Sequence, residues 1–277
     1  MRNANACTKL AGALALAIPL VLADGAQAGL KLRLRSAPVG DTKGHSQSYE
    51  VWLDGPRLAI ELVQRKQTTK RRIVFRGNEQ KVWLIDDGKQ TYYQLDPESA
   101  KNIASQVAGL KQGLNQGLES LTPEQREAVQ ELLGELAKPP AGPPPDYKLR
   151  ERGELGRYAE VACARNDVLD GERVVAEVCL ADYGKPPVTR EAFAAIPALG
   201  TFSRKTLEPL VGQFPSLAAV APYAALDQVQ GVPLAVKSTE DGETRETFVK
   251  SIEQTAIDPA LFELPAGYAR SWIPPFR

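Results

Sequence analysis

Leucines at positions 30, 32 and 34 alternate with Lys31, Arg33 and Arg35, the two-residue period of a strand with one buried face. A second strand-like run covers residues 49–53, and Asp54-Gly55-Pro56 then reads as a turn. Leu58, Ile60 and Leu62 alternate with Ala59, Glu61 and Val63. Residues 72–75, 82–85 and 92–95 supply three more strands, the last two joined by a hairpin turn at Asp87-Gly88. Several strands are apolar on both faces: Trp52 stands between Val51 and Leu53, and Trp83 between Val82 and Leu84. Such a sheet needs cover on both sides, from helices, a second sheet or a ligand.

The period then changes. Ile103, Val107, Leu110, Leu114, Leu118 and Leu121 recur at helical spacing, with Gly109, Gly113 and Gly117 four apart on the same helix. Each glycine weakens a helix by roughly 0.8–1 kcal/mol relative to alanine. The trio therefore reads as close packing against a neighbour, with an easily deformed helix as the alternative. A second helix opens at Thr122, where Thr122, Pro123 and Gln125 suit the N-cap, the first turn and a capping box. Val129, Leu132, Leu133 and Leu136 make its apolar stripe. Residues 138–145 hold five prolines and end regular structure, since proline has no amide donor.

Strands resume at 147–152, 158–165 and 173–180. Thr189 caps a helix carrying Phe193 and Ile196, interrupted at Pro197, and a further helical piece holds Leu199, Phe202, Leu207 and Leu210. A hairpin of residues 233–238 and 244–252 turns at Asp241-Gly242, and residues 258–262 form a short helical turn. Strands that pair with sequence neighbours give a mainly antiparallel sheet. The pattern predicts an α+β fold, a curved sheet with helices packed on one face.

The first 28 residues stand apart. Arg2 and Lys9 precede an apolar run at 10–23, and Ala26-Gln27-Ala28 is a small-x-small cleavage site. The run is shorter than the roughly 20 residues of a spanning helix. Cleavage after Ala28 and export to the periplasm follow as expectations, with residues 29–277 as a single domain and no transmembrane segment once the signal is removed. Charge balance, 34 basic against 34 acidic residues, argues against nucleic acid as a partner, because that binding rests on an excess of Lys and Arg. Cys163 and Cys179 survive cleavage. In an oxidising compartment they are expected to bond across a hairpin with a three-residue loop around Gly171, two buried free thiols being the alternative.

Candidate chemistry is sparse. His45 is the only histidine and lies in a polar loop, a weak start for a hydrolase that needs a positioned base. No nucleophile elbow, Walker loop, dinucleotide fingerprint or zinc helix motif occurs. Asp86 and Asp87 flank a turn glycine, where aspartate is expected in any case. Lys66, Lys70, Arg71 and Arg72 form a basic cluster, read as a charge-protected edge strand. No catalytic residue, metal or cofactor is assigned.

Four stretches carry a resemblance, the first three being residues 51–61, residues 82–95, and Cys163 taken with residues 177–182. The ending, Gly231-Val232-Pro233 together with residues 262–268, carries it most specifically. They resemble an exported bacterial family of unassigned function that is similar to the periplasmic lipoprotein carriers LolA and LolB. Residues 97–146 match nothing in it. The resemblance implies an open antiparallel half-barrel with helices plugging its concave apolar side, and a carrier or sensor of a lipid or acylated protein rather than an enzyme. Trp52, Trp83, Ile103, Val107, Leu110, Leu114 and Leu118 are then the candidates for an apolar cavity and its lid. A module on the same fold that binds an envelope protein and no lipid is the alternative.

The leader gives the first prediction. Exported protein from its native host should begin Gly29-Leu30-Lys31 by N-terminal sequencing; intact Met1 on exported protein would contradict it.

Overall fold

The computed structural model describes residues 29–40, 46–63, 71–127, 147–184, 187–211, 231–240 and 242–271. The signal region, His45, Lys66, Lys70, the stripe from Val129 to Leu136 and the proline-rich stretch lie outside them.

The N-terminal meander is β1 (Gly29–Pro38), β2 (Gln47–Asp54), β3 (Arg57–Val63), β4 (Arg71–Arg76), β5 (Lys81–Asp86) and β6 (Thr91–Leu95). Helix α1 (Pro97–Glu119) follows. The second meander is β7 (Tyr147–Tyr158), β8 (Val161–Asp170), β9 (Arg173–Ala181), β10 (Val232–Glu240) and β11 (Glu243–Thr255), with helix α2 (Ala195–Val211) between β9 and β10. A 3₁₀ turn (Pro259–Phe262) and β12 (Ala269–Arg270) end the described chain.

Among the described residues the strands form one twelve-stranded sheet, ordered β12-β6-β5-β4-β3-β2-β1-β11-β10-β9-β8-β7. The two meanders join where β1 pairs antiparallel with β11, so the first strand lies in the middle of the sheet. Register shifts at Arg33/Leu34 and Pro233/Ala235 interrupt the ladders near that junction, and such bulges bend the bulged strand. The result is the expected α+β architecture, a curved and mainly antiparallel half-barrel with helix on its concave side. The exception to antiparallel pairing is β12, which runs parallel to β6.

In the N-terminal meander the register sorts the apolar residues cleanly. Leu53, Leu58, Phe75 and Val82 form a transverse row on one face, and Trp52, Ala59, Val74 and Trp83 the adjacent row on the other. The first row belongs to the main core, which also takes in Val188, Phe193, Ala195 and Phe202 from the α2 region. Phe75 and Phe202 pack with ring centroids 5.4 Å apart. The β4–β5 turn lets α2 come close: a Cβ at Gly77 would lie 2.9 Å from Ala198 Cβ and 2.6 Å from Pro56 O. Pro197 does not break this helix, because it falls in the first turn, where proline is tolerated.

The tryptophan row meets the chain's own C-terminal end. Trp52, Ala59, Val74, Trp83 and Ile85 cluster with Phe262, with Ile257, Leu261, Leu264 and Tyr268 packed around them. This strap is fastened by polar groups as well. Arg76 pairs with Glu263 at 2.8 Å, Tyr268 donates to Asp87 at 3.0 Å, and the Arg57 guanidinium lies 4.8 Å from the Phe262 ring.

Three expectations change. The helix over the sheet is α2, whereas α1 packs on α2. Its Asp96 cap, which accepts from the Ser99 amide at 2.8 Å, starts it directly after β6, next to the outermost strand β12, and among the described residues it buries only Ala100, Lys111 and Leu118. The α1 glycines are not close-packing sites, since a Cβ at Gly109, Gly113 or Gly117 would meet nothing within 4 Å among the described residues. The basic cluster does not mark an edge: β4 is flanked by β3 and β5, Arg72 is buried, and Arg71 lies 3.7 Å from Asp86.

Gly109→Ala, Gly113→Ala and Gly117→Ala should therefore each raise stability, by at most about 0.8–1 kcal/mol in a urea melt. A loss would show that a neighbour does occupy the space beside α1.

Candidate binding trough

The strongest concentration of polar chemistry lies on the second meander. Register places Arg150, Asp167, Glu177, Lys237 and Glu246 in one transverse row across β7, β8, β9, β10 and β11. Strand β7 shifts register between Glu151 and Leu155, with Gly153 at φ 72°. Arg152 shares the face of Arg150 by alternation and, unpaired within that irregularity, bridges the row. Its guanidinium lies 3.1 Å from Glu177 and 3.7 Å from Asp167. Arg150 pairs with Asp167 at 2.6 Å, and Lys237 with Glu177 at 3.4 Å. The order is Arg150, Asp167, Arg152, Glu177, Lys237, alternating in sign.

The tip of the β7–β8 hairpin curls over the end of this row. Ala159 and Glu160 take the left-handed turn, at φ 48° and 63°, and Tyr158 packs on Phe248 at 5.8 Å. Its hydroxyl donates to Glu246 at 2.8 Å. Burial first, then the Glu246 carboxylate, push the Tyr158 phenol above its ordinary range, so the donor proton is retained at neutral pH. Glu246 is thereby engaged by a neutral donor rather than by Lys237, its cross-strand partner.

The disulfide lies on the same face, two residues from Glu177. Cys163 and Cys179 are bonded, with Cα atoms 5.4 Å apart. The hairpin differs from the expected three-residue loop. Asp170 opposes Arg173, leaving two residues in the turn, and a register shift between Val168 and Leu169 absorbs the extra residue. Cys179 therefore opposes Arg165 and Cys163 opposes Gly156. The bond runs diagonally, and Gly156 accommodates it: a Cβ there would sit 2.8 Å from Cys179 Sγ.

Beside Glu177 and Lys237 the sheet opens into a trough of about 710 Å³. Its walls come from the end of β1, the start of β9 and the tip of the β10–β11 hairpin. Glu177 and Lys237 stand on one side, Ser238, Thr239 and Thr244 supply hydroxyls, and Val39 and Val174 contribute apolar surface. Those valines are 52% and 45% exposed, two of the few large apolar side chains left open to solvent. Trough volumes of this size suit small ligands or short chain segments.

The sequence-predicted cavity residues are not brought together. Trp52 and Trp83 lie beneath the C-terminal strap. Ile103, Val107 and Leu114 are half-buried on α1, Leu110 is 52% exposed and Leu118 is buried. Asp86 and Asp87 serve the turn and the strap, Asp86 accepting from the Lys89 amide at 3.1 Å. No group of three or more potential metal ligands occurs among the described residues. Sequence reading missed the ionic row entirely. Its one local signal was the Arg150, Arg152 repeat opposite scattered acids, and only the register, including the β7 irregularity, unites them.

No family model matches the chain, and no curated protein matches it. Among solved structures, the chain is similar to the complex of Pseudomonas aeruginosa MucA/MucB, at 11% sequence identity and a TM-score of 0.34. That match covers 87% of this chain, which spans 57% of the other.

Gly156→Ala should destabilise the protein by about 1–3 kcal/mol, the cost of overpacking. In a Cys163→Ser/Cys179→Ser background, itself lowered by about 3 kcal/mol through loss of the short loop, the extra methyl should cost much less. Equal costs in both backgrounds, measured by urea unfolding, would show that Gly156 is not there for the disulfide.

Proposed function

We propose that the mature chain is a periplasmic, non-catalytic binding module whose ligand is a segment of another protein rather than a lipid. The observation that carries this reading is the occupied concave side. A lipid carrier on a half-barrel needs an open apolar space there, and Val188, Phe193 and Phe202, all buried, stand in it against Leu53, Leu58 and Phe75. The expected lid, α1, packs on α2 instead, so moving it alone would not uncover the sheet. The convex side of the N-terminal meander is likewise taken by the chain's own strap. Among the described residues the trough stays open, and its hydroxyls, paired charges and two valines suit a peptide better than an acyl chain. Periplasmic placement rests on the leader pattern; no described helix is long and apolar enough to cross a membrane.

The test is direct. Mature protein purified gently from its native host should carry no stoichiometric lipid by native mass spectrometry, and a fluorescent fatty acid should show no saturable uptake. One lipid bound per chain would overturn the reading and restore the carrier.

A further inference from the structure

The strap that closes the convex side is held differently from the rest of the core. Phe262 is the single buried residue of the stretch 256–271, and nine of those sixteen residues are exposed. The strap shares a cluster with the tryptophan row, and among the described residues none of it belongs to the main core on the other face. Its polar fastenings can be given up without stranding a charge. Arg76, which meets Glu263, also pairs with Glu79 at 2.6 Å. Arg57, whose guanidinium lies over the Phe262 ring, pairs with Asp54. Arg72 gives the strap one long bond, from Nη1 to the Leu261 carbonyl at 3.4 Å. Its Nε is buried without a hydrogen-bond partner among the described residues, an unmet donor that water would satisfy once the strap lifts. At its far end the strap adds only Ala269 and Arg270 to the sheet beside β6. Two amides hold them, Ala269 donating to Gln90 at 3.0 Å and Ser271 to Tyr92 at 2.7 Å.

We propose that the strap is a latch with one anchor, Phe262, which lifts and reseats as a unit while the other eleven strands of the twelve-stranded sheet stay folded. Seating it fixes the backbone of each of its residues at an entropic cost. One fully buried ring and a few half-buried neighbours offset that cost. Such a balance places the strap among the segments that open below global unfolding. Lifting it bares Trp52 and Trp83 and frees the outer edge of β6, a surface that the closed form does not offer. The latch is independent of the trough, which lies on the second meander, and holds whether or not that trough binds a protein segment.

The experiment follows isotope-labelled mature protein by hydrogen exchange and by urea unfolding. In the unaltered chain the Ala269 and Ser271 amides should be protected at least about a hundredfold less than the bonded amides of β1 and β11. Their exchange should hardly respond to low urea, because lifting the strap exposes little surface. Phe262→Asp should leave the sheet folded by circular dichroism, move the indole resonances of Trp52 and Trp83, and lower the urea midpoint by one step. Leu264→Ala should lower the midpoint of the unaltered chain and add nothing to Phe262→Asp, because both act on the same closure. Strap amides that exchange only as slowly as those of β1 and β11 would overturn the proposal. So would a Phe262→Asp chain that does not fold, or losses from the two substitutions that add.

Discussion

The N-terminal meander is apolar on both faces, and that constraint organises the chain. Burial of each large side chain in these rows is worth about 1.5–3 kcal/mol, so neither face can be left to water. Two separate pieces of the same chain meet the demand. The α2 region brings Val188, Phe193 and Phe202 onto one face, and the strap brings Ile257, Leu261, Phe262 and Leu264 onto the other. The strap can reach because β1 and β11 pair in the middle of the sheet, which delivers the end of β11 to the edge of the first meander. From there the chain crosses to β6 and pairs with it in parallel.

With the apolar surface of that meander used internally, the charged row and the open trough of the described residues lie on the second one. There a bulged strand sends Arg152 between two carboxylates, and a curled hairpin tip occupies Glu246 through Tyr158. These are hydrogen-bonded and paired arrangements, as partly buried charge requires. Lys237, paired with Glu177, lines the trough beside that row. Register and alternation together set this charge row, with Arg152 on Arg150's face between Asp167 and Glu177.

Much of the fold was legible because strands declare themselves by period. Leu30, Leu32 and Leu34, the Trp52 and Trp83 runs and the late hairpin all predict strands that exist, and two cysteines left after a signal peptide point to a pair. What was not legible depended on long-range geometry. The stripe from Ile103 to Leu118 has clear helical periodicity, yet Phe193 and Phe202 cover the sheet, because the crossover after β9 brings them there and the start of α1 directly after β6 does not. Residues 256–268 have almost no periodic signal and still hold a whole face closed. The trough escaped for the same reason: Glu177 and Lys237 are sixty residues apart, and a single shift of register would separate them.

The claim that the concave side is filled rather than vacant is tested most directly at Phe202. If its ring is part of a close-packed core against Phe75, Phe202→Ala removes buried contacts and leaves a cavity. Equilibrium urea unfolding should then show a loss of about 3–5 kcal/mol, the range for such truncations. A loss below about 1 kcal/mol, with cooperative unfolding intact, would mean that the ring is a loose cover over space meant for something else, and would contradict the account.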